Sequence, residues 1–145
     1  MGLRRQSREL ALQFRITLDM QGRLAAPLDE MKAAFSSFSE HFTSTRAALP
    51  YARSLVEGVC QHWQELDQNI AAHSHNWRIE RMSTVDRTIL RIAAYELHWA
   101  EDAPAQVVIN EALEIAKRFS IDDSAPFING ILDGMHVARS RSSRS

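Results

Sequence analysis

Apolar residues along most of this chain recur every three or four positions, which is the spacing of one face of an α-helix. No segment shows the strict alternation of apolar and polar residues that marks a half-buried strand. Glycine and proline are scarce, with five and four residues respectively, and the prolines are spread singly. The pattern therefore predicts an all-α fold.

The predicted helices follow one another with short polar connections. We place them at about 3–20, 26–38, 50–70, 85–100, 103–119 and from 124 onward. The third of these carries Gly58 and is long enough that we expect a break within it. Ser83-Thr84 is a suitable N-terminal cap for the fourth. Glu96 falls on the apolar side of that helix, where a buried carboxylate needs a partner such as an arginine.

The composition fits one compact domain, because the 145 residues are 45% hydrophobic and 24% charged. No apolar run approaches the roughly 20 residues needed to cross a bilayer, so we expect a cytoplasmic protein without a membrane segment. The single cysteine, Cys60, cannot form an internal disulfide. The serine and arginine tail from Arg139 to Ser145 has nothing to bury, and we expect it to be disordered.

Charge is distributed unevenly along the chain although the net charge is only −1. Residues 1–18 contain four arginines and one glutamate, whereas residues 101–138 contain seven acidic and two basic residues. One end could therefore attract a polyanion and the other a basic protein.

The residues offer little that would support catalysis or a cofactor. Cys60 and the histidines, including the pair His73 and His75, lack zinc-finger spacing. No serine occupies a nucleophile elbow and no glycine-rich phosphate loop is present. Acidic pairs such as Asp122-Asp123 at a helix start are more often caps than acid/base groups. We therefore expect neither an enzyme nor a bound cofactor or metal.

Arginines on the first helix form a candidate phosphate-binding ridge. Arg4, Arg8 and Arg15 fall within about 40° of one another on a helical wheel, with Arg5 a further 60° or so beyond. Arginines about 6 Å apart match the phosphate spacing of a single strand, but they carry no sequence information. The alternative is an ordinary solvated helix face.

The start of the last helix offers a candidate for reading bases. Ile128, Ile131, Leu132 and Met135 have the spacing of a core stripe. Phe127 in the first turn could provide a stacking face, and Asp123 could accept a hydrogen bond from a base. The alternative is that Phe127 belongs to the core and that Asp123 or Ser124 is only a helix cap.

Four segments of the chain share a recognisable combination of residues. They are RRQSRELALQ at 4–13, VDRTILRIAAYEL at 85–97, VINEA at 108–112 followed by AKRF at 116–119, and DS at 123–124 followed by FINGILD at 127–133. In this order and spacing they resemble the NusB family of transcription antitermination factors. The likeness covers nearly the whole chain.

The resemblance implies a compact bundle of about seven helices in two small subdomains, at about 1–75 and 76–138, and no catalysis. It implies binding to the boxA element of ribosomal RNA transcripts, as a heterodimer with the ribosomal protein NusE within an RNA polymerase antitermination complex. It also suggests contact residues by position. RNA contacts fall at Arg4, Arg5, Arg8, Gln13, Asp123 and Phe127, and contacts with the basic NusE fall near Glu80 and Asp86.

Three positions depart from the family pattern and remove groups from the expected RNA surface. Gln6 stands where many members have an arginine, Ile16 where a tyrosine is frequent, and Pro126 where a lysine often precedes the phenylalanine. Arg15 is unusual for the family but lies on the predicted ridge, so we expect it to replace part of the lost charge.

These departures leave two alternatives to the RNA-binding factor. One is a protein-interaction module or homodimer with weakened RNA binding. The other is the RNA-binding appendage of a cytosine-5 ribosomal RNA methyltransferase, which would need a methyl-donor-binding βαβ segment outside these 145 residues.

Overall fold

The computed structural model describes residues 2–75, 78–100, 103–121 and 123–144, with the backbone alone at 43–45 and 142–144. Within these ranges the regular structure is entirely helical, so the prediction of an all-α fold is confirmed. The α-helices are α1 (Leu3–Met20), α2 (Leu28–Ser39), α3 (Leu49–Gln61), α4 (Trp63–His73), α5 (Thr84–Trp99), α6 (Ala105–Phe119) and α7 (Ala125–Arg144). Short 3₁₀ helices occupy Thr43–Ala48 and Ile79–Arg81.

The chain divides into two compact units, Met1–His62 and Trp63–Ser145. The family resemblance implied a boundary near residue 75, whereas α4 belongs to the second unit. The reason is packing, because α4 contacts α5 and α7. The division therefore falls before α4, and His73 marks only the end of that helix.

The first unit is built from α1, α2 and α3 around a cluster of aromatic rings. Phe14 of α1 meets Phe35 edge to face at 5.2 Å between centroids and Phe38 at the same distance. Phe42 extends the row at 4.8 Å from Phe38. Such pairs add directional contacts to apolar burial, and they fix α1 against α2.

The predicted break in the long third helical segment lies at His62. Its backbone φ of −115° departs from helical values, while its amide still donates to the Gly58 carbonyl oxygen at 3.1 Å. Gly58 itself is buried inside α3. The break therefore lies four residues after Gly58.

The second unit is organised around α5, which packs against α4, α6 and α7. Its residues Thr88–Ala94 are buried without interruption. Ser83 caps the helix as predicted, since its Oγ accepts a hydrogen bond from the Asp86 amide. Glu96 is buried on the apolar side, also as predicted. Burial, and secondarily the charge of Glu96, raises the pKa of Tyr95.

Helix α7 is longer than the sequence suggested. The segment from Arg139 to Ser145 was expected to be disordered, but the backbone is helical through Arg144, and Ser145 lies outside the described residues. Serine and arginine are compatible with a helix, and neither proline nor glycine follows Gly134 to end it. In the part of the chain that the structure describes, no helix is long and apolar enough to cross a membrane.

Candidate nucleic-acid interface

The N-terminal end of α1 presents cationic side chains to solvent. Arg4 is exposed, and its guanidinium carbon lies 3.9 Å from the centroid of the Tyr51 ring. This cation–π contact orients the guanidinium without neutralising its charge. Arg5 is partly exposed beside it. These two arginines form a cationic end of α1 that a phosphate can reach.

The rest of the predicted ridge is not on the surface. Arg8 is 4% exposed and Arg15 is 1% exposed. The prediction that all four arginines form one exposed ridge is therefore wrong for these two. A helical wheel gives the direction of each side chain, but it cannot give how far neighbouring segments cover that side.

Gln13 is exposed on α1, and the RNA contact that the family resemblance suggests for it stays a prediction. Ile16 is partly buried nearby. Arg15 cannot replace the lost surface charge, because its guanidinium is buried and its charge acts on Cys60. Burial raises the pKa of that thiol, while the Arg15 charge partly opposes the rise.

In the second unit, Asp123 lies just before α7 and Phe127 lies in its first turn. Asp123 is exposed and Phe127 is half-buried. A groove of about 310 Å³ opens beside the phenylalanine. Its lining residues are His73, Ser74 and His75 from the end of α4, and Pro126, Phe127, Gly130 and Ile131 from α7. Aromatic and polar side chains around an open groove suit an unstacked base.

His73 is held in this groove from two sides. Its Nδ1 donates to the Asn69 carbonyl oxygen at 3.0 Å, which leaves Nε2 as an acceptor in the neutral ring. Its Cδ2 lies only 3.1 Å from where a Cβ at Gly134 would stand. The missing side chain at Gly134 thus admits the imidazole against α7.

Asp86 does not present its charge as the resemblance suggested. It is 7% exposed, and its carboxylate accepts hydrogen bonds from Ser120 Oγ at 2.5 Å and Ser124 Oγ at 2.6 Å. Asp86 therefore forms a connection within the second unit, and its suggested contact with NusE stays a prediction. Glu80 remains exposed in the 3₁₀ helix Ile79–Arg81.

The family model described as the NusB family matches residues 5–137. The chain belongs to the NusB family. The resemblance drawn from four sequence segments is thereby confirmed.

Curated NusB relatives match over almost their whole length. The transcription antitermination protein NusB of Myxococcus xanthus is 44% identical over 95% of this chain and 97% of its own. The protein of the same name from Geobacter sulfurreducens is 47% identical over 92% and 93%.

Solved structures with this fold include NusB of T. maritima, at a TM-score of 0.78 and 32% identity over 92% of this chain and 89% of that one. A chain in a structure described as the crystal structure of a plectonemic RNA supercoil matches at 0.79 and 25% identity, covering 97% and 98%. The NusB fold of this chain is therefore shared with experimentally determined structures.

Sequence reasoning missed two features of this NusB-family chain, namely the groove beside Phe127 and the Asp86 connection. Both depend on residues far apart in sequence. Their only local signals are Gly134 inside a helix and two serines flanking the turn before α7.

Proposed function

We propose that this chain is an RNA-binding transcription antitermination factor that binds boxA-type single-stranded RNA of ribosomal RNA transcripts. The observation that carries the proposal is similarity, over nearly the full length of both chains, to relatives named transcription antitermination protein NusB. Transcription in bacteria takes place in the cytoplasm, where we expect this protein to act.

Phosphate contact is assigned to Arg4 and Arg5, with Gln13 as an adjacent polar contact. All three have accessible surface, and the guanidinium groups can pair with phosphate oxygens through several donors. Arg8 and Arg15 are left out of direct contact because both are buried.

Base contact is assigned to Asp123 and Phe127 at the start of α7. Phe127 exposes part of its ring to the groove, where a base can stack on it. The exposed carboxylate of Asp123 can accept hydrogen bonds from base amino or imino groups. An anionic group near RNA opposes phosphate binding, so its benefit lies in selectivity and not in affinity.

The second partner in the proposal is NusE, within the RNA polymerase antitermination complex. Glu80 is the candidate contact, since it is exposed and carries the charge that a basic protein would meet.

The test is a titration of fluorescent boxA-type RNA with the chain alone and with NusE from the same organism. A scrambled RNA of identical composition is the control. We expect boxA RNA to bind more tightly than the scrambled strand, and the preference to grow when NusE is present. Equal affinity for both strands under both conditions would contradict the proposal.

Burial of Arg8 and Arg15 favours a second candidate, a protein-interaction module or homodimer with weakened RNA binding. Light scattering at several protein concentrations distinguishes it. A stable dimer that excludes boxA RNA supports this second function, whereas a monomer that binds the RNA contradicts it.

A further inference from the structure

Asp86 of α5 holds both ends of the connection between α6 and α7 through one carboxylate. Ser120 Oγ donates to Oδ1 at 2.5 Å and Ser124 Oγ donates to Oδ2 at 2.6 Å. These lengths are those of charge-assisted O–H···O⁻ hydrogen bonds, which are stronger than bonds between neutral groups. We refer to Asp86, Ser120 and Ser124 as the serine clamp.

Asp86, the acceptor of the serine clamp, is itself held at the start of α5. The Asp86 amide donates to the capping Ser83 Oγ at 3.1 Å, and the side chain is buried in the first turn of α5. A carboxylate fixed at its backbone and buried around its oxygens cannot follow a moving loop without losing its partners. Asp86 therefore stays in place on α5, and its hydrogen bonds to the two serines hold the connection between α6 and α7 against that helix.

The two serines stand where α6 ends and α7 begins. The Ser120 amide donates to the Ala116 carbonyl oxygen at 2.9 Å, and the Ile128 amide donates to the Ser124 carbonyl oxygen, also at 2.9 Å. The clamp thus fixes both ends of the connection. The negative charge of Asp86 near the start of α7 also complements the positive end of the helix dipole.

Two described residues between the fixed ends, Ile121 and Asp123, face solvent. Ile121 is 100% exposed and Asp123 is exposed, while Ser124 next to it is buried. Asp123 is adjacent to a clamped residue, and Phe127 follows within the first turn of α7. Holding Ser124 therefore sets the direction of both candidate base-contacting side chains.

We propose that Asp86 is a positioning residue for base selectivity, acting through Ser120 and Ser124, and not a contact residue for NusE. The inference rests on the proposed RNA-binding function. It assigns to Asp86, Ser120 and Ser124 a role in which none of them touches RNA.

The experiment compares Asp86→Ala with the double variant Ser120→Ala/Ser124→Ala. Two readouts are measured: the ratio of affinities for boxA and scrambled RNA, and hydrogen exchange of the amides at 120–125. We expect both variants to lower the ratio by about fivefold or more, the effect of one lost base contact. Both should speed exchange in the loop, while the dependence of affinity on salt stays unchanged.

Two controls separate positioning from general destabilisation. Thr88→Val removes a buried hydroxyl on the same helix, whose Oγ1 donates to the Thr84 carbonyl oxygen at 2.6 Å. It should leave the affinity ratio and loop exchange unchanged. Ser120→Thr keeps the donor and should retain the selectivity that the double serine variant loses.

The outcomes distinguish the inference from the function on which it rests. If loop exchange is unchanged in both variants, or if Asp86→Ala weakens NusE binding while the serine double variant keeps full selectivity, the serine clamp assignment is overturned. If the unmodified chain fails to prefer boxA RNA, the proposed function is overturned and the selectivity role of the clamp with it.

Discussion

Arg91 and Asp67 form a two-point ion pair between α5 and α4. Arg91 Nε lies 2.8 Å from Asp67 Oδ1, and Arg91 Nη2 lies 3.0 Å from Asp67 Oδ2. Trp63 Nε1 donates to the same carboxylate at 2.7 Å, and the guanidinium carbon lies 5.2 Å from the Trp63 ring centroid. One carboxylate therefore satisfies donors from both helices.

Removing that carboxylate should destabilise the second unit. In Asp67→Ala, the buried Arg91 and the Trp63 indole both lose their acceptor. We expect the free energy of unfolding to fall by about 2 to 3 kcal/mol, as for lost hydrogen bonds to a charged group. Urea denaturation measures it. Gln68→Ala, at an exposed position on the same helix, should change stability by less than about 0.5 kcal/mol. Equal effects would contradict the assignment.

Burial of Arg15 leads to a prediction for the salt dependence of RNA binding. Arg4→Ala/Arg5→Ala should lower the slope of log K against log salt by about 1.4, since each phosphate contact to a single strand contributes about 0.7. Arg15→Met should leave the slope unchanged, because its guanidinium cannot reach a phosphate. Affinity measured at four or more salt concentrations gives both slopes. A lower slope in Arg15→Met would show that the side chain reaches RNA after all.

Phe127 should contribute stacking that an aliphatic side chain cannot supply. Phe127→Leu keeps apolar bulk but removes the ring face, and we expect affinity for boxA RNA to fall by about 1 to 3 kcal/mol. RNA carrying 2-aminopurine at single positions would identify the stacked base by its quenched fluorescence. Phe119→Leu changes a similarly half-buried phenylalanine outside the groove and should bind normally. Quenching that survives in Phe127→Leu would exclude this stacking partner.

Two glycines of α7 should respond differently to alanine. A Cβ at Gly130 meets nothing within 4 Å, so Gly130→Ala should stabilise the chain by about 0.5 to 1 kcal/mol through the lower entropy of the unfolded state. A Cβ at Gly134 would lie 3.1 Å from the His73 ring, which its hydrogen bond to Asn69 restrains. Gly134→Ala should therefore stabilise the chain less than Gly130→Ala does, or should destabilise it. Thermal unfolding of the two variants measures the difference. The reverse order would mean that the ring moves freely.

The raised pKa of Cys60 predicts slow alkylation. Since burial disfavours the thiolate, less of the reactive form exists at a given pH than for an exposed cysteine. The rate of reaction with iodoacetamide should rise through a higher pH range in the folded chain than in the same chain unfolded in urea. Coincident pH profiles would contradict the environment described for Cys60.

The sequence predicted local structure better than it predicted exposure. The bounds of α1 and the Ser83 cap follow from periodicity and from one side-chain oxygen, both of which act within a few residues. Burial of Arg8 and Arg15 depends on what covers the helix, and apolar spacing carries no information about that.

The residues of the candidate site could be proposed from the sequence only in part, for the same reason. Asp123 and Phe127 could be named because both belong to one helix start. The role of Asp86 could not, because its partners lie 34 and 38 residues further along the chain. Long-range side-chain pairing of this kind is specified by the fold, and a single sequence does not reveal it.

The contact between His73 and the bare backbone at Gly134 also constrains how this surface can diverge. A family member that acquires any side chain at the position of Gly134 must make room for it, and the nearest atoms to move belong to His73. A side chain at position 134 therefore favours either a small shift of the imidazole or a smaller residue at position 73 among descendants of this chain.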